Sequence, residues 1–173
     1  MLIPMDTALP APEASQLAPP PTALPAELLA STVFVLARLG FAIKARAIEE
    51  FERAGFNMYQ YSVLAMLSEK PREAQATIAD ALQLDRSQLV GILDVLEERG
   101  LIERRRDPVD RRRHTVSLTP DGKRQLVRLR AIVKRIEESF LAPLDEKSRA
   151  ALHETLLRVA CNYDCRFEAA SDR

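Results

Sequence analysis

Between Asp85 and Gly122 the chain reads DRSQLVGILDVLEERGLIERRRDPVDRRRHTVSLTPDG, an order that few folds accommodate. Leu89, Ile92, Leu93 and Leu96 recur at helical spacing, so the stretch from Asp85 to Arg99 predicts one amphipathic helix. Gly100 supplies the left-handed residue that ends it. Two strands are expected next, Leu101–Arg106 and Arg113–Leu118. In the second, His114, Val116 and Leu118 alternate with Arg113, Thr115 and Ser117, the period of a half-buried strand. Asp107-Pro108-Val109-Asp110 between them has turn chemistry. Thr119 then caps a further helix with Pro120 at its first position, where a missing N–H is harmless. Helix, arginine-rich hairpin, helix is the order of a winged helix-turn-helix.

The segments before and after complete that expectation. Leu29, Val33, Leu36, Gly40, Ile43, Ala47 and Phe51 form one stripe of a long helix from Pro25 to near Gly55. Asn57 is an N-cap with Gln60 as its capping-box partner, opening a second helix that buries Val63, Leu64 and Leu67 and ends before Pro71. A short third helix spans about Gln75 to Gln83, with Ile78, Ala79 and Leu82 inward. Asp85 and Gln88 repeat the capping box at the start of the fourth. Two short helices joined by a turn place the second in a major groove. The helix from Pro120 is long, with Leu126, Leu129, Val133, Ile136 and Phe140 as its stripe and a basic remainder, and Pro143 breaks it. Asp145 opens a last helix with Leu152, Leu156, Val159, Tyr163 and Phe167 on one face.

The fold class expected is therefore mainly α with a small β-hairpin wing. The first and last helices carry more apolar surface than a thin lobe can cover, which calls for a homodimer. Residues 1–24, rich in proline and alanine, read as an extended arm. Residues 25–55 read as a dimerisation helix, 56–119 as the winged lobe, 120–168 as C-terminal dimerisation helices and 169–173 as a tail.

Composition narrows the function. Lysine plus arginine and aspartate plus glutamate both number 25, so the chain is no generic polycation and charge placement matters. Seven arginines lie between Arg99 and Arg113 against three carboxylates. Cys161 and Cys165 cannot make a disulfide framework. No Lys or Arg precedes Arg38, so a basic signal-peptide start is missing, and the most apolar run, Leu28 to Ile48, is interrupted by Arg38 and Lys44. A cytoplasmic protein with no membrane partner is expected. There is no glycine-rich phosphate loop, no Cys/His pair in evident partnership and no metal-ligand cluster, His114 and His153 lying far apart. The expectation is therefore no enzyme, no cofactor and no metal.

Double-stranded DNA is the partner these features point to. At the start of the fourth helix, Arg86 suits guanine, Gln88 suits adenine and Ser87 suits either, while Val90, Gly91 and Asp94 are the next exposed positions. The competing reading is that Arg86 and Gln88 only solvate and cap a helix start. In the wing, Asp110, Arg111, Arg112 and Arg113 crowd like charges at a turn that needs none of them for stability. A narrow minor groove accepts such a side chain, and Asp110 would orient Arg112. The competing reading is a solvated charge run. Arg104, Arg105 and Arg106, with Gln75 and Thr77, read as phosphate contacts, or the arginines pair with Glu97, Glu98 or Glu103.

Residues 57–122 resemble the MarR family of bacterial transcription regulators. The capped NMYQYSVL start, the LEERGLIERRRDPVDRRRHTVSLTPDG block and the long helix after it carry the resemblance, which extends over about Leu28 to Phe167. It implies an obligate homodimer whose first, fifth and sixth helices interleave, a pseudo-palindromic operator, and repression released by a small phenolic or lipophilic ligand or by cysteine oxidation. It matches Asp110 and Arg112 to the family's wing Asp-x-Arg pair and Arg86–Gln88 to the start of its recognition helix. Many members carry Ser-Arg where this chain has Val90-Gly91, a departure that changes the base contacts. The resemblance also places a ligand near Leu36, Leu39, Gly40, Ile43, Met58, Tyr59 and Tyr61, with Arg38 or Lys44 offering a charge; core packing is the alternative for each. A protein-binding winged helix and a redox regulator using Cys161 and Cys165 are the other functional readings.

Overall fold

The computed structural model describes residues 23–69, 73–106, 114–164 and 166–167. The chain forms two compact units, residues 1–37 and 38–173. The proposed arm (1–22 of it), the wing tip at 107–113, Cys165 and the tail lie outside the described residues.

In the first unit, α1 (Ala26–Ala30) stops at Ser31, which is extended (φ −86°, ψ 109°), and α2 (Thr32–Arg53) begins at once. The expected single helix from Pro25 is thus two helices. The Ser31 hydroxyl accepts from the Phe34 backbone N–H at 3.3 Å. A serine side chain that can cap a new helix competes with continuation of the old one.

The second unit holds the lobe. Phe51 and Ala47 of α2 are buried, and Gly55 at φ +73° ends that run. Next come α3 (Met58–Glu69), β1 (Glu73–Ala74), α4 (Gln75–Leu82), α5 (Arg86–Glu98), β2 (Ile102–Arg106), β3 (His114–Leu118), α6 (Pro120–Phe140) and α7 (Glu146–Tyr163). The Asn57 and Gln60 side chains close a capping box at α3, with Gln60 N–H on Asn57 Oδ1 at 2.9 Å and Asn57 N–H on Gln60 Oε1 at 3.0 Å. This pairing gives the side-chain oxygen of the buried Gln60 a donor.

The sheet has strand order β1-β3-β2, all antiparallel, so β3 is central. Ile102 pairs with Leu118 and Arg104 with Val116, which puts Ile102 and Val116 into the core. The expected hairpin is present. The added strand β1 escaped sequence reading because two residues carry no alternation. The core joins Phe51, Val63, Leu64, Leu67, Ile78, Leu89, Leu93, Leu96, Val116, Leu126 and Leu129, each at most 2% exposed. Its sides come from α2, α3, α4, α5, β3 and α6.

Gly122 fixes how α6 leaves the sheet. Thr119 caps α6 through a bond from the Gly122 N–H at 3.0 Å, and the Thr119 N–H donates to the Leu101 carbonyl at 3.1 Å. The α carbon of Gly122 therefore lies against the backbone of Leu101, with no space for a β carbon.

By contrast, α7 buries none of its residues. Leu152, Leu156, Val159 and Tyr163 are 36%, 40%, 60% and 95% exposed, along the stripe read from the sequence.

Candidate nucleic-acid interface

The start of α5 is built by Asp85. Its carboxylate accepts from the Gln88 backbone N–H at 2.8 Å and from the Ser87 hydroxyl at 2.7 Å, while the Gln88 side-chain oxygen accepts from the Asp85 N–H at 3.3 Å. The Gln88 N–H, and after it the Ser87 hydroxyl, hold the Asp85 carboxyl below its ordinary range. Ser87 and Gln88 are therefore engaged in holding the helix start, and Gln88 keeps its amide NH₂ donors. Arg86, Ser87, Gln88 and Gly91 are all exposed, whereas Leu89, Leu93 and Leu96 are buried on the opposite side. A β carbon at Gly91 would meet nothing within 4 Å.

Between α4 and α5 lies a recess of about 550 Å³ lined by residues including Gln75, Thr77, Asp80, Arg86 and Val90. Thr77 is exposed in the first turn of α4 and Gln75 is half-buried. A helix start facing this recess offers N–H groups to an anion.

The arginines of β2 divide by role. Arg104 bonds the carboxylates of two α5 residues: its Nη2 lies 2.7 Å from Asp94 Oδ1, its Nε donates to Glu97 Oε2 at 2.8 Å, and its backbone N–H donates to Glu97 Oε1 at 3.2 Å. The Arg104 guanidinium holds the Glu97 carboxyl below its ordinary range. Asp94, expected among the exposed helix positions, is thus half-buried and committed to this brace. Arg105 pairs with Glu103 at 2.9 Å. Arg106 is exposed at the strand end nearest the wing turn. The alternative that these arginines pair with carboxylates thus describes Arg104 and Arg105. Asp110, Arg111, Arg112 and Arg113 lie outside the described residues.

Arg99, just past α5, entered the sequence reading only as a helix end and a member of the basic run. Its Nη1 donates to the Gly55 carbonyl at 2.8 Å and its guanidinium sits 4.6 Å from the Phe56 ring centroid. It staples the turn between α2 and α3 to the C-terminal end of α5. No local pattern reveals a contact across 44 residues.

Of the residues considered for a ligand, Leu39, Ile43, Met58 and Tyr59 are each more than 40% exposed. Tyr61 is half-buried with its ring centroid 5.4 Å from that of Phe51. Leu36 belongs to the other unit. Cys161 is half-buried on α7. Among the described residues no group of His, Cys, Asp or Glu has the makings of a metal site, and no helix is long and apolar enough to cross a membrane.

The MarR family profile matches residues 46–114, the span from the end of α2 to the start of β3. A transcriptional regulatory protein assigned to the hcr operon of Thauera aromatica is 33% identical over 129 residues, covering 70% of this chain and 78% of the relative. This chain belongs to the MarR family. Among solved structures, the transcriptional repressor CouR bound to a 23-mer DNA duplex superposes with a TM-score of 0.70 at 32% identity, over 80% of this chain and 99% of that one. CouR from Rhodococcus jostii RHA1 bound to p-coumaroyl-CoA superposes with a TM-score of 0.64 at 30% identity, over 77% and 94%. The protein is thus a MarR-family transcription regulator, which is not an enzyme.

The Arg104 brace makes a first prediction. Arg104→Met should weaken operator binding several-fold by loosening β2 from α5, with the slope of log affinity against log salt unchanged. A slope shallower by about one would assign Arg104 to a phosphate instead. Because Glu97 is held below its ordinary range, the brace stabilises the fold above pH ~4.5 and is lost as pH falls through the lowered value. At a site this exposed to solvent its contribution is under about 1 kcal/mol.

Proposed function

We propose that this MarR-family regulator is a cytoplasmic homodimeric repressor. It binds a pseudo-palindromic operator and is released by a small phenolic or otherwise lipophilic ligand. One observation carries the DNA-reading part: the outer edge of α5, with Arg86, Ser87, Gln88 and Gly91, stays exposed while its other side is locked into the core. Arg86 is the direct base reader, free of the cap that engages its two neighbours. Gln88 reads through its remaining amide donors. Arg106, Gln75 and Thr77 contact phosphates and fix the register. In the wing, Asp110 aims Arg112 into the minor groove, flanked by Arg111 and Arg113.

The DNA-bound and p-coumaroyl-CoA-bound CouR structures support both halves of this reading. By that analogy the effector is an aromatic acid or its thioester, and the exposed apolar groups Leu39, Ile43, Met58 and Tyr59 are its first candidates for contact.

Selecting duplexes from a random pool tests the reading. Recovered sites should hold two inverted half-sites about 34–36 Å apart, one helical turn. Affinity should fall steeply with salt as arginines release counterions. Recovery of no common motif would defeat it.

Gly91 provides a sharper check. In a helix interior Gly91→Ala should stabilise by about 1 kcal/mol, since its β carbon meets only open space. If α5 lies in the major groove, the same methyl should alter operator affinity or motif. Raised thermal stability with unchanged affinity and motif would place Gly91 off the DNA.

A further inference from the structure

Three arginines converge at the end of α5 opposite its reading edge. Arg99, Arg124 and Arg128, together with Gln125, line a recess of about 270 Å³ beside Leu101. Arg124 and Arg128 stand one turn apart on α6, an arrangement of like charges that costs helix stability. Arg99 arrives from another element and is aimed by its bond to Gly55 and its seat on Phe56. That anchorage leaves other donors of its five-donor fork for a ligand. The lining includes one carboxylate, Asp121, which pairs with Arg124, so the recess retains an excess of two positive charges. The first turn of α6 adds the positive end of its dipole.

The reading edge does not account for this cluster. With 13 residues, α5 is about 20 Å long. A duplex held at Arg86 is therefore a helix length away from Arg99. Local contacts account for Arg99, through Gly55 and Phe56, and for Arg124, through Asp121, but not for the exposed Arg128 beside them. Forked guanidiniums from two elements suit a dianionic oxyanion better than a single carboxylate.

We propose that this recess binds the phosphate or diphosphate group of a small ligand, gripped by Arg99 and Arg128 with Gln125 as a neutral donor. Asp121 limits affinity by repulsion and by occupying Arg124. The proposal stands apart from the effector reading above, because it needs neither operator nor aromatic group.

Calorimetric titration of the full chain with inorganic pyrophosphate, and separately with coenzyme A, tests it. Arg128→Gln should weaken pyrophosphate at least fivefold, Asp121→Asn should tighten it, and thermal unfolding of the first variant should match the parent. Lys147→Gln, on exposed α7, controls for loss of general charge. Stronger binding of coenzyme A than of pyrophosphate, with both weakened by Arg128→Gln, would identify a nucleotide-borne group at this recess, and the reverse order a free diphosphate. Equal losses in Arg128→Gln and Lys147→Gln, or no effect of either α6 variant, would overturn the site. So would an Arg128→Gln variant that loses operator affinity but keeps pyrophosphate.

Discussion

Replacing Gly122 with alanine should destabilise the protein by about 3 kcal/mol, the upper range for forcing atoms into a packed site. The added β carbon would collide with the Leu101 carbonyl oxygen and lie 2.9 Å from its carbon, with Leu118 Cδ2 at 3.2 Å behind them. Neither backbone atom is the end of a flexible chain. Relief requires α6 to move off Leu101, and that movement strains the Thr119 N–H bond to the Leu101 carbonyl. It also pulls Leu126 and Leu129 from the core. Unfolding in denaturant measures the effect. A Gly122→Ala variant with parental stability would show that the close approach relaxes at no cost. Operator binding should fall as well, since Leu101 leads directly from α5 into β2.

This effect was only half visible in the sequence. The LTPDG segment announced a capped helix start through Thr119 and Pro120. It did not announce that the glycine faces a backbone carbonyl 21 positions away. The same divide runs through the rest of the molecule. Caps at Asn57, Asp85, Thr119 and Asp145 were legible because donor and acceptor lie within three residues. Leu89, Leu93 and Leu96 of α5 and Leu126, Leu129 and Ile136 of α6 were legible because periodicity reports burial, whereas the buried Ile132 was not named and Val133 and Phe140 are half-buried. The break at Ser31 was not, because the apolar stripe continues across it while one hydroxyl redirects the backbone. Strand β1 was invisible because its order comes from pairing with β3, not from its own residues.

At the interface, residue type announced cations but not their partners. Arg104 and Arg106 look alike in sequence. The brace to Asp94 and Glu97 distinguishes them, and it depends on how β2 lies against α5. Gln88 likewise looked like a base reader and a cap at once, and its oxygen is used as the cap.

Charging the bare face of α7 should have the largest effect on function. Leu152 and Leu156 are one turn apart, more than a third exposed, and belong to a helix with no fully buried residue in its own chain. A contiguous apolar stripe of this kind in water marks an interaction surface. In the proposed homodimer a second copy covers it. Leu152→Glu with Leu156→Glu would then bury unpaired carboxylates at the interface, a cost of several kcal/mol. The expected result is a monomer by sedimentation, with the winged lobe still folded because neither residue touches its core. Operator affinity should drop at least a hundredfold, because joining two half-site contacts in one particle provides the avidity that a single lobe lacks. Binding to an isolated half-site should change little, which separates loss of pairing from damage to α5. A variant that stays dimeric would assign the α7 stripe to some other surface and leave the exposed apolar residues of α2 to hold the pair.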